Sequence, residues 1–409
     1  MKASYWQQQG KWRDRWAHLP LPHTADFAIL GAGFAGLATA NELRTRSPHA
    51  RIVILEAERV GFGASGRNAG FLSPLAAPVW LLGAERCTEQ AWGAARINAD
   101  VHALARSLCK NKLDCELDAV TLALQPQTRV SDEALRELVR RIERVGLRHR
   151  VVESRVRPGL SVLEMDAYTL HPYKLAVALA ERADHHGVQI RERTPVTRVE
   201  GTRVHLASGK VIEANKIVLC TNAYTSSIDI GERTRALVVH SYMAASARVD
   251  ESALARDGDF TVEVSRESTY HRTHDGRLIY GGLDKLRAPD GFDARPALAA
   301  QIARSFPDAR VPIEHAWTGR FHATHNGLPI VRTSAANDAL VFNVGYGGTG
   351  VALSLVCARL AASVASGGAS PSSDDARLLS LIHATRLSVR DSLRAVARIA
   401  RGVAAPWIG

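Results

Sequence analysis

The chain runs to 409 residues, 46% hydrophobic and 23% charged, too long for one ordinary core and suited to two domains of a soluble globular protein. Its formal net charge of +11 is not gathered in Lys/Arg blocks, so it reads as a basic surface and no nucleic-acid partner is expected. No unbroken apolar run of about 18 residues offers a membrane span, and five scattered cysteines without a CxxC pair suggest neither a disulfide framework nor a metal site.

Met1 to His23 sets Trp6, Trp12 and Trp16 among polar residues. It lacks the apolar core of a signal peptide, so a cytoplasmic protein is expected. Asp26–Leu30 is a short apolar strand ending in Gly31, residues 35–46 read as a helix stopped by Ser47-Pro48, and residues 51–55 form a second strand. That strand is apolar on both faces, as in a covered parallel sheet, and the three elements make a βαβ unit. Residues 91–110 and 132–145 carry a helical period. Leu175–His185 is a further helix closed by Gly187, followed by short strands across 188–223 with a turn at Ser208-Gly209. More strands fall between 237 and 283, where Asp275-Gly276 reads as a hairpin turn. Residues 340–344 form a last buried strand before a glycine-rich loop and a helix from about Val351. Residues 366–373 read as a linker. In the final helix, Arg386, Arg390, Arg394 and Arg398 share one solvated face.

The chemistry begins at Gly31-Ala32-Gly33-Phe34-Ala35-Gly36. This GxGxxG follows a strand and opens a helix, the context that makes it a dinucleotide fingerprint. The first glycine permits the tight turn, the second lets the backbone approach a pyrophosphate, and the third lets helix and strand pack closely. Phosphates sit at the positive helix N-terminus. Glu56, followed by Ala57, ends the second strand where a carboxylate accepts hydrogen bonds from a ribose diol. The fingerprint does not choose between NAD and FAD. The next segment, Gly63-Ala64-Ser65-Gly66-Arg67-Asn68-Ala69-Gly70, offers small residues and an arginine to phosphate and a flavin ring.

At this segment the chain resembles the D-amino-acid-oxidase-like superfamily of FAD enzymes, which carries GASGRNxG in this place. Ser4-Tyr5-Trp6 resembles the opening of the branch containing gamma-glutamylputrescine oxidoreductase and aminophosphonate oxidoreductases. Further resemblances span nearly the whole chain. Thr194–Val199, with Val196, is similar to the strand that contacts adenine, and Cys220-Thr221-Asn222-Ala223 to the turn beneath the cofactor. Gly281-Gly282 is similar to a glycine pair near the flavin, and Asn326–Pro329 with Gly345-Tyr346-Gly347-Gly348-Thr349-Gly350 to the C-terminal flavin motif. Donors at that last helix N-terminus would favour the reduced flavin. The segment Thr318-Gly319 to His325, where relatives can attach flavin through a cysteine, has none here, and Arg67-Asn68 stands where others use a histidine. The resemblance therefore implies noncovalent FAD, with His322 as the remaining side chain that could attach it.

The implied fold class is an α/β Rossmann-like FAD-binding domain with an inserted α+β substrate domain on a mainly antiparallel sheet. The expected division gives 1–24 to an N-terminal extension, and 25–90, 160–230 and 325–370 to the FAD domain. It gives 91–159 and 231–324 to the substrate domain and 371–409 to a C-terminal helix. The implied activity is oxidation of a C–N bond in a small amine or amino acid by hydride transfer to flavin, with the imine hydrolysing in water and oxygen as acceptor. Candidate pocket groups are Tyr270, His271, Arg272, His322 and Tyr346, with His240, Tyr242 and His325 behind them. Tyr270 and Arg272 share a strand face, and if it looks inward, Arg272 clamps an anionic substrate group. Two alternatives stay open. One is a dehydrogenase using another electron acceptor. The other is an RNA-acting enzyme of the tRNA-wobble-uridine type, whose GASG stretch precedes a segment similar to Phe71-Leu72-Ser73-Pro74-Leu75.

Overall fold

The computed structural model describes residues 2–10, 15–17, 19–76, 87–234, 236–263, 268–286, 291–367 and 372–385. The predicted βαβ unit forms as strand Thr24–Leu30, helix Phe34–Arg46 and strand Ile52–Leu55. The two strands pair in parallel, Phe27 beside Ile52 and Leu30 beside Leu55. They lie inside a sheet ordered Ile330–Thr333, Leu340–Val344, Val211–Leu219, Thr24–Leu30, Ile52–Leu55, Gln189–Arg191. Alternate residues explain the apolar run. Ile29, Ile52 and Ile54 sink into the helix-covered core, while Ala28, Leu30, Val53 and Leu55 pack on the opposite face. There they meet Val199, Val204 and Leu206 of the hairpin Val196–Glu200/Arg203–Leu206.

The helix Gly350–Ser366 packs on Phe34–Arg46 in that core. By length and composition Gly347–Ser366 could cross a membrane, contrary to the expectation that no segment is apolar enough to do so. Most of it is buried within the protein, and its Arg359 pairs with Asp100 and Asp375. This is the pattern of a core helix. The last described helix, Ser373–Ala384, docks on Thr88–Lys110 through Arg96–Asp374 and Arg377–Glu89 pairs. The arginine stripe at 386–398 lies outside the described residues, as does part of the expected linker.

A second, nine-stranded sheet runs Ile313–Thr324, Ala236–Arg248, Arg277–Lys285, Thr269–Arg272, Phe260–Glu263, Asp118–Gln125, Ser161–Thr169, Phe71–Leu72, with Arg150–Glu153 beside Ser161–Thr169. Every pairing is antiparallel except Phe260–Glu263 with Asp118–Gln125. The strands Asp118–Gln125, Ser161–Thr169 and Ile313–Thr324 and the helix Arg295–Ser305 are not among the elements expected from the sequence. Phe71–Leu72 and Ser161–Thr169 join this second sheet, although the expected boundaries place both in the FAD domain. Their pairing is between distant segments, which local pattern does not encode. One face of the sheet carries Tyr242, Tyr270 and Tyr280 against Leu298, Ile302 and Phe306 of the Arg295–Ser305 region. The other face turns toward the first sheet.

The N-terminal segment bridges the two. Ser4 caps helix Tyr5–Gln9 in a capping box with Gln7. The same side chains reach across the chain: Ser4 Oγ donates to Gly66 O, Gln7 Nε2 to Gly61 O, and Trp6 Nε1 to Asn68 O at 2.8 Å. Trp6 lies between the rings of His171 and His271. Replacing Trp6 with alanine removes both the packing and the hydrogen bond. Trp6→Ala should lower the unfolding free energy by about 3–5 kcal/mol in urea titration. A loss below about 1 kcal/mol would show that the segment rests on the loop without bracing it.

Candidate active site

A cavity of about 510 Å³ lies between the two sheets, within the range of small-molecule and cofactor sites. Its first wall is the glycine turn. Gly31 takes φ +101°, and a Cβ on Gly36 would stand 1.9 Å from Gly31 O, so neither place accepts a side chain. Within the helix, hydrogen bonding begins at Leu37 N–H, which donates to Gly33 O. The amides before it have no partner inside the helix. Phe34 N donates to Ser65 Oγ at 2.9 Å and Ala32 N to Glu56 Oε2 at 2.7 Å. Glu56 also accepts from Glu58 N. Burial pushes its carboxyl up to about 7, against the pull of these two amides. Gly31, Gly33, Phe34, Ala35, Glu56, Ala57 and Val196 all line this end. Gly36 lies behind it as a packing residue.

The second wall is the segment from Phe62 to Ala69. Ala64, Ser65, Arg67, Asn68 and Ala69 line the cavity. Gly70 does not; its left-handed backbone accepts a hydrogen bond from Leu170 N. Arg67 is only 1% exposed. Its Nε donates to Phe62 O at 2.7 Å, and its Nη1 to Lys2 O and Thr318 O at 2.8 and 3.2 Å. Its Nη2 is buried without a hydrogen-bond partner, as is the hydroxyl of Tyr224 on the same cavity. Among the described residues no carboxylate pairs with Arg67. A buried cation held by three carbonyls and the face of the Phe62 ring, 5.3 Å away, has no counter-charge, and an anionic or carbonyl-rich ligand would supply what is missing.

The third wall joins Thr221, Asn222 and the loop before helix Gly350–Ser366. Asn222 Oδ1 accepts from Gly345 N at 3.0 Å, and Gly345 takes φ +89° against Thr324. Gly347, Gly348, Thr349 and Gly350 then line the cavity. Tyr346 lines it too, but its hydroxyl is turned into the core, within hydrogen-bond distance of Asn343 O and Oδ1. It offers the cavity a ring and no acid or base.

The roof comes from the second sheet. Gly319, Arg320 and Phe321 contribute from one strand, Ser241 and Met243 from the next, then Gly282 and Asp284, then Thr269. Gly319 lies so close to Arg67 that a Cβ there would be 3.3 Å from Arg67 Cβ. Sequence reasoning missed Tyr224, Arg320, Phe321, Ser241, Met243, Thr269 and Asp284. For Asp284 the one available signal was its place two residues beyond the Gly281-Gly282 pair. Its carboxylate is 1% exposed with both oxygens lacking a hydrogen-bond partner. Burial pushes it up to about 7, with the Ser241 hydroxyl pulling the other way.

Of the expected catalytic group, only Tyr346 lines the cavity. Tyr270 and Arg272 do share a face, but it looks away from the cofactor end. Tyr270 stacks on Tyr280, meets Phe306 edge-on and donates to Gln125 Oε1. Arg272 sits at the outer rim, 3.7 Å from Glu251 and against Gly276. His271 takes the inner face, yet its Nε2 donates to Ala69 O at 2.7 Å. Burial holds it below the usual histidine range, so it braces the loop as a neutral ring. His322 is buried behind the roof with its pKa lowered to about 4 by desolvation. His325 is exposed on a turn, His240 is half-buried outside the lining, and Tyr242 packs against Phe292.

A sequence profile for the family described as "FAD dependent oxidoreductase" (DAO) matches residues 26–364. Among curated relatives, the probable oxidoreductase OrdL of Rhizobium meliloti (strain 1021) is 26% identical over 369 residues, covering 85% of each chain. The gamma-glutamylputrescine oxidoreductase of Escherichia coli (strain K12) is 26% identical over 368 residues, covering 85% of this chain and 84% of the relative. Among solved structures, glycine oxidase from Geobacillus kaustophilus superposes with a TM-score of 0.72 at 20% identity, covering 85% of this chain and 96% of that one.

Two outcomes follow from the geometry. Glu56→Ala should weaken FAD binding by about 1–3 kcal/mol, the range for a lost hydrogen bond to a charged group, without altering substrate preference at saturating FAD. An unchanged FAD dissociation constant, measured by fluorescence titration, would remove Glu56 from the binding site. Arg272→Ala should leave the rate of anaerobic flavin reduction by substrate unchanged within about twofold, as for a rim residue. A large loss would return Arg272 to the substrate pocket.

Proposed function

Because the chain belongs to the DAO family of FAD-dependent oxidoreductases, we propose that it oxidises the C–N bond of a small amine or amino acid, with FAD held noncovalently and oxygen as electron acceptor. The observation that carries this reading is the single cavity that joins the dinucleotide turn to a chamber roofed by the antiparallel sheet. One continuous cavity suits a cofactor and a substrate that must meet for hydride transfer. One relative is named for gamma-glutamylputrescine and one neighbour for glycine; both compounds carry an amino group, which supports the substrate class.

FAD, when bound, supplies the two-electron oxidising chemistry, and the protein supplies position and field. Glu56 and the amides at the start of helix Phe34–Arg46 suit the ribose and pyrophosphate. Arg67 and the loop Gly347–Gly350 place positive potential along the cavity's middle. The rings of Phe321 and Tyr346 and the thioether of Met243 line the roof end with apolar surface and exclude water. The C–H bond is oxidised by the cofactor, with no nucleophilic side chain required. The noncovalent reading rests on the absence of cysteine in 318–325 and on His322 standing outside the lining.

Purified protein should be yellow, and acid precipitation should leave the colour in the supernatant. Colour that stays with the pellet would overturn noncovalent binding. Under anaerobic conditions at least one member of an amine and amino-acid panel should bleach the flavin, and readmitted air should restore the colour with formation of peroxide. A flavin bleached by none of them would overturn the substrate class, and recolouring without peroxide would overturn oxygen as acceptor.

A further inference from the structure

The roof strand Arg277–Lys285 does not alternate regularly. Leu278 and Tyr280 pack in the cluster beneath helix Arg295–Ser305, while Ile279 packs with Met243 on the opposite face. Continued at period two, that alternation would send residue 284 into the helix-side cluster and residue 283 toward the cavity. The ladder shifts instead. Met243 pairs with Gly281, Tyr242 with Leu283 and Ser241 with Asp284, so Gly282 is one residue extra, at φ +124°. This β-bulge exchanges the faces beyond it. Leu283 packs against the helix-side cluster, and Asp284 is turned into the cavity beside Ser241. Bulges are a recurrent means of re-aiming a side chain at an active site.

What the bulge delivers is costly. Among the described residues, Asp284 is a buried carboxylate whose one polar neighbour is the Ser241 hydroxyl, and no arginine or lysine pairs with it. Such a group destabilises a fold unless something that binds there offsets it. Arg67, Arg320 and Tyr224 line the same cavity, with Glu56 and Glu58 at its dinucleotide end. His240 flanks Ser241 on the adjacent strand, and Lys285 lies over the Phe292 ring on the far side. None of these supplies a cation in contact with Asp284.

We propose, resting on the amine-oxidation reading above, that Asp284 is the subsite for the substrate's amino group: it pairs with the incoming ammonium ion and takes one proton from it. In that step the N–H bond breaks, its electron pair stays on nitrogen, and an O–H bond forms on Asp284. No electrons change hands, and charge is conserved as the ion pair becomes two neutral groups. The amine then holds the lone pair it needs when its α C–H bond is oxidised. The substrate class is narrowed to amines that arrive as cations carrying at least one N–H.

The test uses FAD-loaded enzyme, native and Asp284→Asn, with flavin content checked by absorbance. Anaerobic reduction by a bleaching amine is followed against pH. The native enzyme should be reduced well below the amine's own pKa. In Asp284→Asn the apparent Kd for the amine should rise roughly 30-fold or more, as for a lost partner of a buried ion pair. Its rate should climb about tenfold per pH unit up to the amine's own pKa, because only amine already neutral in solution can react. A variant that matches the native enzyme in Kd and pH profile overturns the inference while leaving amine oxidation standing. A native enzyme bleached by no amine sinks the amine reading itself.

A second measurement needs no variant. tert-Butylammonium has no hydrogen on the carbon bearing nitrogen and cannot be oxidised there. By flavin spectral shift it should bind the native enzyme at least about tenfold more tightly than tert-butanol at about pH 8, and lose that advantage at about pH 5, where Asp284 is protonated. An ammonium ion that binds no better than the alcohol at the higher pH overturns the proposal.

Discussion

The buried guanidinium of Arg67 is the constraint on which the rest of the site depends. It donates to the carbonyl of nearby Phe62 and to two from distant parts of the chain, Lys2 near the N-terminus and Thr318 on the roof strand. Its own carbonyl accepts from Trp317 Nε1 at 2.8 Å. One residue thus ties the cofactor loop, the N-terminal segment and the second sheet at a single point. A cation so enclosed loses its hydration, and carbonyl dipoles return only part of it. Arg67 lines the cavity and its Nη2 is unsatisfied, which gives the fold an electrostatic reason to keep that cavity filled.

The walls around Arg67 differ in kind. The dinucleotide end is built from backbone: a turn that admits no side chain at Gly31 and Gly36, an open helix terminus, and one carboxylate at Glu56 that already grips the turn. The roof is built from side chains on a sheet whose ladder shifts at Gly282, beside the cavity, and again near Ala245 at the far end of the strand. Rigid backbone suits a ligand that is always the same, whereas single side chains on strands suit a substrate that varies among relatives of one fold. The neutral His271, held on Ala69, and the N-terminal helix, held on Gly61, Gly66 and Asn68, brace the loop between these two regions.

The sequence was legible where chemistry and local geometry coincide. The βαβ unit, the glycine turn, Glu56, the Arg67 segment and the Gly347–Gly350 loop all line or frame the cavity, because each signal is a short stretch whose backbone is itself the binding surface. The roof was not legible. That Tyr270 and Arg272 share a face follows from strand periodicity, but which face is buried depends on helix Arg295–Ser305, which carries weak patterning and was not foreseen. Asp284 escaped for a sharper reason. A bulge shifts the phase of a strand by one residue, and the alternation that sequence reasoning relies on points the wrong way beyond it. The bracing role of Ser4, Trp6 and Gln7 was hidden because their partners lie 54–62 positions away.

On the proposed reading, Arg67 couples the cofactor to the joint between the two sheets. The most direct measurement is the stability that FAD adds. Urea unfolding of apoprotein is repeated at rising FAD, for the native chain and for Arg67→Lys, which keeps the charge but cannot span three carbonyls and a ligand at once. Binding to the folded state alone adds about 2.7 kcal/mol at a hundredfold excess over the dissociation constant. At that same FAD concentration the native protein should gain an increment of this size and Arg67→Lys only a small fraction of it. Equal increments in the two proteins would contradict the account.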